Sequence, residues 1–215
     1  MAEDFFKTQY DITTRSRIKK FYESNKILIF SSILILIILI VSSSLYLESK
    51  ERKKILLSEN YIQAKFYLDN GNKYEALNTL KEVIIANDPV YSTLSLFLIL
   101  NHNLIVDYKE ISLLFDRLLE NNKFEKELRN LLIYKKALFN SNFVSESELL
   151  ETIKPLLNTN TLWKPHALLL LGDYFVSKGE NIKAIEFYQK ILSMKNLHND
   201  LYAQAKSQLL IIAHE

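Results

Sequence analysis

Four histidines, His102, His166, His198 and His214, are the first candidates for chemistry in this chain. They are scattered, and no pair has the His-Glu-x-x-His or His-x3–5-His spacing that brings two imidazoles to one metal. There is no cysteine, which removes disulfides, thiolate zinc sites and thiol nucleophiles. Three glycines, Gly71, Gly172 and Gly179, cannot build a phosphate-cradling loop, a dinucleotide fingerprint or a Gly-x-Ser-x-Gly elbow. Most acids stand at helical spacing from a base, as Glu125 does from Arg129, which is how a solvated helix face is written. Asp173 is the acid of most interest, and its ordinary role is to partner a nearby lysine or a helix N–H. The residues therefore predict no catalytic, cofactor-binding or metal-binding site, and a binding protein in place of an enzyme.

Recognition depends on the elements that present it. With 3 Gly and 3 Pro in 215 residues, turn-rich β architecture is disfavoured and long helices are expected. Hydrophobic residues at 48% and charged residues at 24% are enough for a packed core. The net charge is +2, and residues 1–26 carry six Lys/Arg against four Asp/Glu, so the remainder nets zero. Such a balance offers no basic surface for nucleic acid.

Residues 27–47 read ILIFSSILILIILIVSSSLYL, 21 residues without a charge. As a helix they span roughly 31 Å, the thickness of a bilayer core. No polar stripe interrupts them, and their serines can bond back to the helix backbone. A transmembrane helix is expected, with lipid as its partner. The alternative is a cleavable leader, but the apolar run is longer than such leaders use and no small-x-small cleavage site follows. Arg15, Arg17, Lys19, Lys20 and Lys26 precede the span; Lys50, Arg52, Lys53 and Lys54 follow it. This slight excess puts residues 1–26 in the cytoplasm and the C-terminal domain on the other side of the membrane. The segment SRIKKFYESNK lies at the membrane surface or serves as a plain solvated helix cap. Glu48–Lys54 forms a polar neck, with no Gly or Pro between Ile27 and Leu68 to break the helix. A helix continuous through that neck would hold the domain near the membrane.

Residues 48–215 form the soluble domain. Apolar residues recur at three and four spacing in YIQAKFYL, ALNTLKEVI, ISLLFDRLL, LRNLLIYKKAL, LLETIKPLL, ALLLLGDYF, AIEFYQKIL and AQAKSQLLII. Polar breaks separate them, giving eight or nine helices in pairs. A repeat runs underneath. In PHALLLLGDYFVSKGENIKAIEFYQKIL, Gly172, Gly179 and Ala184 fill the small positions of a tetratricopeptide-like (TPR-like) helix pair, and Leu168, Leu171, Phe175 and Tyr188 its large ones. In NYIQAKFYLDNGNKYEALNTLKEVIIANDP the small set is Ala64, Gly71 and Ala76, the large set Tyr67 and Leu80, and Pro89 closes the unit. Gly71 and Gly179 are 108 residues apart, three periods of 36. Intermediate steps land on Asp107 and Phe143, between expected helices, but Leu100 and Lys136 stand where a small residue belongs. Ser112 keeps its small position, Glu148 does not, and Ala137 suggests a slip of one residue in the third unit. An unrelated helical bundle is the competing architecture. In the repeat register, Trp163 packs as core against the preceding pair and the last helix, Asp200 to Ala213, caps the stack. The first helix of each pair lines a concave face, so Tyr61, Lys65 and Leu68 in the first unit and His166, Leu169, Asp173 and Val176 in the last are the candidate peptide-binding positions.

A short basic segment, one span, a charged neck and a TPR-like domain together resemble the bacterial YfgM-like ancillary subunit of the SecYEG translocon. TLWKPHALLLLGDYFVSKGENIKAIEFYQKIL, followed by LYAQAKSQLLII, is similar to the most recognisable part of that family. Residue matches concentrate in the first and last units, and the middle units depart. The resemblance implies a protein that sits beside the translocon and helps pass emerging secreted chains to periplasmic chaperones. It carries over no catalytic or cofactor residues. A structural scaffold or assembly factor for another envelope complex is the alternative.

Overall fold

In the computed structural model the described residues are 3–195 and 197–213, with side chains from residue 19 onward. His214 lies outside them. The described residues hold nine helices: α1 (Glu3–Asp69), α2 (Lys73–Ile85), α3 (Tyr91–Asn101), α4 (Tyr108–Asn121), α5 (Lys126–Asn140), α6 (Glu146–Leu157), α7 (Lys164–Ser177), α8 (Asn181–Leu192) and α9 (Asn199–Ala213). The expected all-helical class is what the chain adopts. It divides into two compact units, 1–56 and 57–215.

The first unit is the N-terminal length of α1. It contains the one helix, among the described residues, that is long and apolar enough to cross a membrane, and none of its most apolar window is buried. Ser31 Oγ donates to the Leu28 carbonyl at 3.0 Å, the back-bonding that lets serine sit in an apolar helix. Arg52 pairs with Glu48 at 2.7 Å in the polar stretch that follows.

In the second unit each helix from α2 to α9 packs on its sequence neighbour, and α7 also touches α5 and α9. The core forms two clusters. One gathers Ala64, Leu80, Ile84, Leu96, Phe115 and Leu132. The other gathers Ile133 of α5, Leu149, Ile153 and Leu156 of α6, and Leu171, Phe175, Tyr188 and Ile212. α5 joins them, Leu132 facing one and Ile133 the other.

The turns show where the sequence pattern comes from. After α1, the Gly71 N–H donates to Leu68 and the Asn72 N–H to Tyr67, with Gly71 at φ +75°. After α7, the Gly179 N–H donates to Val176 and the Glu180 N–H to Phe175, with Gly179 at φ +74°. Both are the paired helix-ending bonds that need a left-handed residue, for which glycine carries no Cβ penalty. After α3 the same pair of bonds recurs at Asn103 (φ 48°), four residues before Asp107. Asp107 does lie between helices, as the N-cap of α4, and accepts from the Lys109 N–H at 2.9 Å; the left-handed residue of that connection is Asn103. Phe143 does lie between helices, and its N–H donates to Asn140.

Ala64, Ala76, Ala137 and Ala184 are all fully buried. In α5 the buried small residue is Ala137, while Lys136 pairs with Asp116 at 2.5 Å. Leu149, not Glu148, faces the core of α6. The helix without a periodic signature is α3. Its polar residues turn inward: Ser92 Oγ donates to the Val83 and Ile84 carbonyls at the end of α2, and Thr93 Oγ1 to Pro89. Apolar residues then cover the remaining faces, and no amphipathic stripe is left to read. The last helix, α9, buries Leu201, Ala205 and Ile212 but leaves Tyr202, Leu210 and Ile211 exposed, so its outer face is less polar than a solvating cap would be.

Candidate interaction groove

The α6–α7 loop is tied to α5 through one hydroxyl. Buried Thr161 Oγ1 accepts from Asn130 Nδ2 at 2.9 Å and donates to Glu127 Oε2 at 2.8 Å. The Trp163 N–H also points at it, at 3.3 Å. This fixes Trp163 at the N-cap of α7, where its ring stacks on Tyr134 of α5 with centroids 5.5 Å apart. His166 completes a three-ring group, 5.2 Å from Trp163 and 5.7 Å from Tyr134. Trp163 thus packs against the preceding helix pair as expected.

Two of these rings, Tyr134 and His166, line an open groove of about 1430 Å³. Tyr134, Pro165, His166 and Leu169 form one side, and Leu197 and Leu201, from the α8–α9 connection and α9, form the other. His166, Leu169, Asp173 and Val176 follow one another at helical spacing along one face of α7. His166 and Leu169 line the groove directly; Val176 packs on the second core cluster. Tyr61, Lys65 and Leu68 lie elsewhere, on α1. Tyr61 packs against the first core cluster with its ring 6.4 Å from Tyr91, Lys65 is exposed and Leu68 is half-buried. Of the seven positions, His166 and Leu169 are the two that line this groove.

Asp173 is exposed, and Tyr188 Oη donates to its Oδ1 at 2.7 Å. Its partner is a phenol from α8, which corrects the expected lysine or helix N–H. Burial, and then this hydrogen bond and charge, push the Tyr188 phenol well above its ordinary range. Burial, and then the charge of Asp173, raise Tyr134. Both phenols stay protonated at neutral pH, and that of Tyr188 serves as a hydrogen-bond donor. The Glu125–Arg129 pairing is also corrected: the Arg129 guanidinium donates to the Leu119 carbonyl at 2.8 Å, and Glu125 is the N-cap residue of α5. Among the described residues no group of three His, Cys, Asp or Glu is placed to hold a metal ion.

The sequence reading does not single out Tyr134 or Thr161. The signal for Tyr134 is the slip: Ala137 lies 35 residues before Gly172, and Tyr134 lies the same distance before Leu169. Thr161 carries no signal, because its role depends on which helix the loop rests against. In comparison with known proteins, no family model, curated protein or solved structure matches the chain.

Proposed function

We propose that the chain is a single-pass membrane protein whose C-terminal region is a TPR-like interaction module that holds polypeptide segments in the α7 groove. The observation that carries this is the groove itself, lined by Tyr134, His166, Leu169, Leu197 and Leu201, with the Asp173 carboxylate one turn further along the same helix face. An open channel of this kind suits an extended or helical peptide. Identical helix-ending bonds at Gly71 and Gly179, with Ala64 and Gly172 seven residues before them, support the repeat architecture. The apolar length of α1 supports an uncleaved anchor, and its flanking charges support a cytoplasmic N-terminus with the module in the periplasm.

In this proposal the protein is an ancillary translocon subunit of the bacterial inner membrane. It receives secreted chains as they emerge and passes them to periplasmic chaperones, without catalysis or a cofactor. Photocrosslinkers at Leu169 and Tyr61, in intact membranes, test it by mass spectrometry of the products. Products containing translocon subunits or nascent secreted chains are expected. Products confined to another envelope complex would replace the translocon assignment with a scaffold or assembly role.

A further inference from the structure

Asp173 is held in place from inside the fold. The Tyr188 ring crosses α7 beside Gly172, where a Cβ would lie 2.7 Å from Cζ, and its hydroxyl reaches the α7 face to bond one carboxylate oxygen. The other oxygen has no hydrogen-bond or ion-pair partner among the described residues. An exposed carboxylate is thus fixed by a fully buried side chain and left without a cation. Burial, and then the Asp173 charge, raise the phenol of Tyr134, whose ring lies 5.7 Å from His166. One turn before Asp173, Leu169 lines the groove. Asp173 lies one turn beyond the groove lining, and within the lining Glu127 and Asp200 stand against Lys195.

We propose that the α7 groove selects polypeptide segments in which an arginine or lysine adjoins apolar residues, the apolar neighbours lying on Leu169 and the Tyr134 and His166 rings and the cation meeting Asp173 one turn beyond the groove lining. The charge of the groove and its aromatic surface favour the same occupant. A carboxylate supplies a charge-assisted hydrogen bond, and ring faces attract a cation directly. An acidic segment would be repelled. This inference rests on the peptide-holding function proposed above and specifies its ligand.

The test uses the full chain in detergent micelles and fluorescence anisotropy of labelled dodecapeptides of leucine, alanine and serine, with a central pair of arginines, glutamines or glutamates. The arginine peptide is expected to bind more tightly than the glutamine peptide by about fivefold, and the glutamate peptide more weakly than either. Asp173→Asn, which can still accept from Tyr188, is expected to erase the arginine advantage without changing glutamine-peptide binding. Tyr188→Phe is expected to reduce the advantage by releasing the carboxylate. Equal binding of arginine and glutamine peptides, or an advantage that survives Asp173→Asn, overturns the selectivity and leaves the groove as a peptide site. Binding of none of the peptides overturns both proposals.

Discussion

The ring of Tyr188 occupies the space that a side chain at residue 172 would fill. Glycine there lets α7 and α8 approach until the phenol of one bonds Asp173 of the other. A Cβ at 172 would meet three ring atoms of a fully buried tyrosine, which has little room to move. Gly172→Ala should therefore destabilise the second unit by about 1–3 kcal/mol. Urea unfolding followed by circular dichroism measures this, and Tyr188→Leu in the same background should recover part of the loss. An unchanged midpoint in Gly172→Ala would show that the ring is not confined as described.

The three turns closed by paired bonds give a second prediction. Gly71→Ala and Gly179→Ala each place a Cβ at positive φ with open space around it, so the cost is conformational only, about 1 kcal/mol apiece. Asn103→Gly should be neutral or slightly stabilising, because asparagine already bears part of that cost. Thermal midpoints of the three variants distinguish this from steric disruption.

Thr161 links Asn130, Glu127 and the Trp163 backbone. Thr161→Val keeps the shape but leaves the Asn130 amide buried without its acceptor, at a cost of about 1–3 kcal/mol. Trp163 is the chain's single tryptophan, so its emission reports the loop directly. A red shift is expected as the ring loosens from Tyr134. Unchanged emission would remove Thr161 from any role in positioning the ring group.

Stability should fall at high pH. Tyr188 and Tyr134 have folded pKa values raised above the unfolded phenol value. The folded state therefore holds protons that the unfolded state releases above pH ~10. The contribution is complete below that pH and is lost as pH rises further towards the folded values. Tyr188→Phe should flatten the alkaline limb of the stability curve. An alkaline limb identical to that of the parent protein would count against the buried phenol as its cause.

The apolar part of α1 should resist alkaline carbonate extraction, and the recovered chain should keep its N-terminus. Ile37→Arg places a charge near the middle of the uncharged run, at a cost of about 2.5–3.5 kcal/mol for insertion, and should reduce the membrane-bound fraction. A chain that begins after Ser44 in N-terminal sequencing would identify the segment as a cleaved leader.

Residue types and spacing are enough to determine the helical class, the long apolar helix and most helix ends. These depend on local physics: an uncharged run of 21 residues, glycines at left-handed turns, and apolar residues at helical spacing. The buried place of Ala137 is also visible, because a small residue is needed wherever two helices cross closely. α3 is hidden because its serine and threonine bond inward to the preceding turn, which inverts the usual pattern. The Asn103 turn is hidden because α3 is short, so the fixed period of 36 overshoots it. Tertiary structure alone decides the site. Whether Asp173 meets a lysine, a helix N–H or a phenol depends on which residue from another helix reaches it, and Tyr188 does so because Gly172 leaves the way open.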